Sequence, residues 1–152
     1  IGASSLPRFL TADCESISSR TMSDTLTVRG IVVGHGDMPK GLLDAVHRIA
    51  GDQSEKLTAI SNSGLSAEDL RMKLDALSGL DPTIMFTDLL GGSCGIAAAY
   101  SCRDAAERVV VCGVNLPMLL EFIFHCDLPL NELADRVADT GRGAIRSTPA
   151  DI

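Results

Sequence analysis

Positive charge is scarce in this sequence: 13 lysines and arginines stand against 20 aspartates and glutamates, for a formal net charge of -7. A nucleic-acid binder needs a basic stripe to neutralise phosphates, so that class is excluded, and an acidic surface suits protein partners with basic faces. Long apolar runs are also missing. The longest, residues 116–124, is broken by Pro117 and Glu121 and falls far short of the ~20 residues that cross a bilayer. Cysteines number five, Cys14, Cys94, Cys102, Cys112 and Cys126, with no Cys-x-x-Cys pair among them. An odd count with that spacing indicates neither a disulfide framework nor a zinc site, and points to the reducing cytosol. There is no P-loop, and Gly34-His35-Gly36-Asp37-Met38-Pro39 lacks the third glycine of a dinucleotide motif, so no metal and no cofactor are expected.

What is present is one domain's worth of alternating patterns. At 152 residues and 45% apolar, the chain has room for a single core. Residues 1–27 are rich in Ser and Thr and lack the apolar core of a secretory signal, so they read as a flexible tail. Beginning at Ile1, the chain reads as a fragment or processed form, with Met22 as a conjectured internal start. The domain is expected over 28–147, with 148–152 a short C-terminal tail.

Within it, strands are predicted at 28–33, 57–61, 83–87 and 108–113. Helices separate them: one with Leu42, Val46 and Ile49 on its apolar face, and one opened by Ser66 as N-cap with Leu70, Leu74 and Leu77 inward. Further helices are expected over 93–107, 116–125 and about 130–140. Gly141 and Gly143 are expected to stop the last, leaving 144–146 as a short C-terminal antiparallel strand. The alternation predicts an α/β fold, a doubly wound, mainly parallel sheet of flavodoxin-like order 2-1-3-4 with helices on both faces. In that order strands one and three are neighbours, and the crevice beyond their carboxyl ends is where ligands bind.

Strand one ends at His35, flanked by Gly34 and Gly36, and strand three at Asp88, followed by Leu89-Leu90-Gly91-Gly92-Ser93. A neutral imidazole is a competent nucleophile when one nitrogen is free and the other carries the proton. A carboxylate accepting from the distal N–H fixes that tautomer and stabilises positive charge on the ring, the role predicted for Asp88. Ser93 and the backbone N–H groups around Gly91, Gly92 and Cys94, together with Gly36, offer a helix N-terminus that favours a phosphoryl group. Positioned donors can then carry much of a phosphoryl transfer without a metal.

Each residue also has a plainer reading. Gly34 and Gly36 alone would permit a tight turn. His47 reads as solvated, His125 as a helix-end histidine, Cys94 as a small buried apolar residue and Lys40 as surface charge. Asn115 either reaches the crevice or terminates strand four. Gly91-Gly92-Ser93-Cys94-Gly95 also fits the nucleophile elbow of a serine hydrolase, for which Asp104 and His125 are the order-preserving partners. Both fall within predicted helices, and the turn from Asp88 is long for an elbow, so this ranks second.

Taken together, three segments resemble the IIA domain of mannose-family sugar phosphotransferase systems. They are Ile31-Val32-Val33-Gly34-His35-Gly36 with Gly41-Leu42-Leu43, Phe86-Thr87-Asp88-Leu89-Leu90-Gly91-Gly92-Ser93, and Gly113-Val114-Asn115-Leu116-Pro117-Met118-Leu119. The resemblance runs from about residue 26 to 147. It implies that His35 takes a phosphoryl group from the histidine-containing phosphocarrier protein and passes it to a IIB component. Asp88 would orient His35, Ser93 would hold the phosphoryl oxygens, and the domain would be a cytoplasmic homodimer that exchanges its C-terminal strand. Two positions depart from the family pattern: the turn before His35 is one residue shorter, and Cys94 stands where proline is usual. Related domains serve in dihydroxyacetone phosphorylation, but the intact Gly-Gly-Ser turn looks closer to the sugar-transport type. A regulatory IIA-like module, controlling a partner through its phosphorylation state, is a further alternative.

Overall fold

Four short runs rich in β-branched residues form strands: β1 (Arg29–Gly34), β2 (Leu57–Ser61), β3 (Thr83–Thr87) and β4 (Arg108–Cys112). Between and after them lie α1 (Met38–Ala50), α2 (Ala67–Ser78), α3 (Ser93–Arg103), α4 (Leu116–His125) and α5 (Leu130–Gly143). The structure, a computed structural model, describes residues 27–103 and 105–148. The expected N-terminal tail apart from Thr27, Asp104, Met22 and residues 149–152 lie outside the described residues.

All pairings are parallel and the order is β2-β1-β3-β4, as the sequence predicts. Val33 lies opposite Thr87, which brings the carboxyl ends of β1 and β3 level and sets their following residues, His35 and Asp88, side by side. Strand periodicity splits the core in two. Ile31, Val33 and Met85 pack with Leu70 and Leu74 of α2 and with Cys94, Ala97 and Ala98 of α3. On the other face Val32, Ile84 and Phe86 meet Val46 of α1, Leu119, Phe122 and Ile123 of α4, and Leu133 and Val137 of α5. Helices therefore cover both faces.

Phe122 anchors the second layer. Its ring meets Phe86 edge to face at 5.5 Å, and it lies so close over β1 that a Cβ on Gly30 would collide with it. The opposite layer is held by polar groups as well: Asp75 of α2 accepts from Ser101 of α3 and from Arg108 of β4, each at 2.6 Å. Arg71 adds a 2.7 Å pair to the same carboxylate. Cys102 packs beside this network, and burial pushes its thiol up to about 11.

Several sequence expectations differ in detail. The segment 144–146 is not a strand among the described residues: α5 continues through Gly141 to Gly143, and the Ala144 N–H still bonds to Thr140 O. Gly141 does not stop the helix because its role is close packing, a Cβ there being barred by Met118. Ile49 is 60% exposed and off the buried face of α1, whose inward residues are Pro39 and Val46. A 3-10 turn at Gly51–Lys56 follows, which helical periodicity does not reveal, and α3 ends at Arg103, short of 107.

The packing predicts a sharp contrast between two apolar positions. Phe122→Ala should lower the free energy of unfolding by about 3–5 kcal/mol, whereas Ile49→Ala should change it by less than about 0.5 kcal/mol. Denaturant unfolding of the two variants checks both values.

Candidate functional site

The site is built at the carboxyl ends of β1 and β3. Beyond Gly34 the chain turns sharply through His35 and Gly36, the latter at φ 57, a left-handed conformation that favours glycine. The turn leads straight into α1, with Pro39 in its first turn. Gly34 has its own reason to lack a side chain: a Cβ would come within 3.2 Å of Asp88 Oδ2 and collide with the Met38 methyl. That close approach is what lets the Asp88 carboxylate reach over the end of β1.

Asp88 Oδ2 accepts two hydrogen bonds from one residue, the backbone N–H of His35 at 3.0 Å and its ring Nδ1 at 2.7 Å. Oδ1 accepts from the Leu89 N–H at 2.8 Å. Burial works to raise the Asp88 carboxyl, but the His35 side-chain and backbone donors, the Leu89 N–H and the histidine's charge together hold it below its ordinary value. The carboxylate therefore stays ionised and acceptor-only, so Nδ1 must carry a proton, and in the neutral ring the lone pair is left on Nε2. The imidazole is 47% exposed and the carboxylate 20%. The ring is open to a partner while its orienter is sheltered.

Nε2 faces the turn before α3. It lies 3.7 Å from the position a Gly92 Cβ would take, and Cε1 only 3.1 Å, so a side chain at Gly92 would push on the ring. Ser93 opens α3 and is exposed, with its hydroxyl accepting from Asn62 Nδ2 at 3.3 Å. Gly95 lets the loop fold over the helix start, since a Cβ there would strike the carbonyls of Leu89 and Leu90. Gly36 and Gly91 are exposed, with nothing within 4 Å of where their side chains would begin. A nucleophilic nitrogen, a hydroxyl and a helix N-terminus thus share one open face, the arrangement an anionic phosphoryl group fits.

Cys94 is fully buried beneath this face, as a small apolar residue would be. Its thiol is pushed up by burial and by the Asp88 charge. The donor atoms of His35, Asp88 and Cys94 lie within 4.8 Å of one another, the one cluster of metal-ligand types among the described residues. A protonated thiol is a poor ligand and Asp88 is committed to three N–H donors, so the chemistry of the set favours histidine orientation over cation binding.

The remaining sequence candidates fall elsewhere. Asn115 caps α4, accepting from the Met118 N–H at 3.2 Å and donating to Gly141 O at 3.1 Å, so its side chain is engaged at the start of the helix and neither ends β4, which stops at Cys112, nor turns to the crevice. His47 is exposed and pairs with Ser54 Oγ at 3.1 Å, and Lys40 is exposed. His125 binds Glu121 O at 2.9 Å and Arg136 at 3.2 Å. It closes α4 beside Cys126, whose carbonyl accepts from the Val28 N–H at the start of β1. That is the opposite end of the sheet from Ser93, so the histidine a serine hydrolase would require is not delivered to the serine. Asn62 escaped the sequence reading; the available signal was that it directly follows β2, whose end adjoins β1 in the predicted order.

Comparison with known proteins agrees with this geometry. A family model described as the PTS system fructose IIA component (EIIA-man) matches residues 30–138. The PTS system mannose-specific EIIAB component of Escherichia coli (strain K12) is 30% identical over 131 residues, 82% of this chain and 41% of the relative. The chain thus spans about two fifths of the length of the curated relatives it matches. Among solved structures, the mannose/sorbose specific IIA subunit of the phosphotransferase system from Enterococcus faecalis superposes with a TM-score of 0.76 at 24% identity, covering 83% of this chain and 98% of that one. The phosphotransferase system component EIIA from Streptococcus agalactiae gives 0.73 at 28% identity, covering 79% and 96%. With its sheet order, its His35–Asp88 pair and its glycine-serine turn, the chain belongs to the mannose-family IIA domains of the sugar phosphotransferase system.

Proposed function

We propose that this domain is a phosphocarrier: His35 Nε2 accepts a phosphoryl group from the histidine-containing phosphocarrier protein and passes it to a IIB component. The observation that carries this reading is the double hydrogen bond from His35 to Asp88, which selects the Nδ1–H tautomer, the one whose Nε2 lone pair is turned to the start of α3. As the donor's P–N bond breaks, the Nε2 lone pair forms the new one, and the ring takes on positive charge that Asp88 stabilises. Charge on the transferring oxygens meets the Ser93 hydroxyl and the backbone N–H groups of the Gly91, Gly92, Ser93 and Cys94 turn. These same atoms serve both directions of transfer, and the chemistry calls for neither metal nor cofactor.

The exposure of His35 supports a protein donor, because a half-exposed ring on an open face suits group transfer between macromolecules. Among the described residues no helix is long and apolar enough to cross a membrane. The reading places the domain in the cytoplasm, in a homodimer. Support for the dimer comes from β4, whose outer edge has no partner strand among the described residues. Along it runs a groove of about 460 Å³ lined by Val109, Val111, Ala138, Gly141 and Ile145, the last 75% exposed. An antiparallel strand from residues 144–146 of a second copy would satisfy that edge.

Incubation with phosphoenolpyruvate, enzyme I and the phosphocarrier protein should label the chain with an acid-labile phosphate, and His35→Ala should abolish the label; label surviving in that variant would sink the reading. Asp88→Asn, which can no longer enforce the tautomer, should slow labelling by about a hundred-fold or more. Because the Asp88 carboxyl sits below its ordinary value in the fold, its stabilising contribution is full above the unfolded value of 3.8 and fades as pH falls through the folded one. The stability gap between wild type and Asp88→Asn should accordingly persist from neutrality to about pH 4 and close below it, as read by urea unfolding at a series of pH values. Removal of residues 144–152 should convert a dimer to a monomer in sedimentation equilibrium, and a truncated chain that stays dimeric would refute strand exchange.

A further inference from the structure

Asn62 occupies a position from which it can govern the hydroxyl of Ser93. It follows β2 directly, and its backbone N–H is fixed to Gly34 O, the residue preceding His35, at 3.1 Å. Its side-chain Nδ2 reaches across to Ser93 Oγ at 3.3 Å. One residue thus ties the end of β2 to the end of β1 and to the start of α3, the two sides of the phosphoryl face. Asn62 is only half-buried and Ser93 is exposed, so the contact is made at the open face of the site.

The direction of the hydrogen bond matters more than its presence. A hydroxyl has one proton to donate and lone pairs to accept with. An amide N–H donating to Oγ occupies a lone pair and leaves the proton free for an incoming phosphoryl oxygen. Were the contact reversed, with an acceptor facing Oγ, the hydroxyl would spend its proton on the protein and present only lone pairs to the anion. Resting on the phosphocarrier reading, we infer that Asn62 is a positioning residue, holding the Ser93 hydroxyl as a hydrogen-bond donor toward the phosphoryl group carried by His35. It acts through Ser93 and does not itself touch the reacting atoms.

The test uses a small phosphoryl donor, so that it does not depend on any partner protein. With phosphoramidate, the Nε2 lone pair forms the new P–N bond while the old one breaks and ammonia leaves with the bonding pair; ³¹P NMR follows loading of His35. Six chains are compared: wild type, Asn62→Leu and Asn62→Asp, each with Ser93 and with Ser93→Ala, with circular dichroism melting to show that each is folded. The expected result is a loss of about ten-fold in loading rate for Asn62→Leu, the scale of one lost hydrogen bond to a charged group. In the Ser93→Ala background the same change should have less than about a two-fold effect, because the hydroxyl it acts through is gone. Asn62→Asp, which presents an acceptor to Oγ, should be slower than Asn62→Leu, and that excess should shrink when Ser93 is absent. Wild-type loading in Asn62→Leu, or an equal ten-fold loss with and without Ser93, would overturn the inference. If wild type is loaded by phosphoramidate but not by the phosphocarrier protein, the phosphocarrier reading fails while the comparison among the six chains still decides the role of Asn62.

Discussion

The whole site depends on one carboxylate oxygen. Asp88 Oδ2 receives both the backbone N–H and the ring Nδ1 of His35, so a single acceptor fixes where the histidine begins and which way its ring faces. Two donors from one residue onto one atom leave little rotational freedom for the imidazole. They also decide its tautomer, because an ionised carboxylate can only accept. In the neutral ring, that geometry puts the lone pair on Nε2.

The fold exists around this contact in a literal sense. The β2-β1-β3-β4 order makes β1 and β3 neighbours, and their register brings Val33 level with Thr87. Residues 53 apart in sequence are then within hydrogen-bond reach. Glycines make room for the approach: Gly34 admits the carboxylate, and Gly92 admits the ring. Behind them the sheet is braced on one face by Phe122 against Phe86 and Gly30, and on the other by Asp75 binding Ser101 and Arg108. Rigid strands keep the two tips in place, the positioning that the proposed group transfer demands.

Much of this was legible from the residues, for identifiable reasons. Strands β2 and β3 carry apolar runs bounded by turn residues and match their predicted limits, and the parallel order follows from alternation with helices. His35, Asp88 and Ser93 were visible because strand ends and a glycine turn are local signals. What depended on long-range packing was not. Gly141 reads as a helix stop, yet its missing side chain accommodates Met118 and the helix runs on. Ile49 has helical spacing but lies past the edge of the contact with the sheet. Asn62 has no local pattern to mark it, since its significance comes only from the three segments that meet there. Residues 144–146 have no partner strand among the described residues, so the strand expected there from the stop at Gly141 and Gly143 does not form.

The central claim is that Asp88 fixes the tautomer of His35 and thereby makes Nε2 the phosphoryl acceptor. Long-range ¹H–¹⁵N correlation NMR of the ¹⁵N-labelled protein at neutral pH, before and after phosphorylation, tests it most directly. The account predicts a protonated Nδ1 and an unprotonated Nε2 in the resting domain, with ³¹P coupling to Nε2 once the phosphoryl group has arrived. A resting histidine protonated at Nε2, or phosphorus coupled to Nδ1, would contradict it.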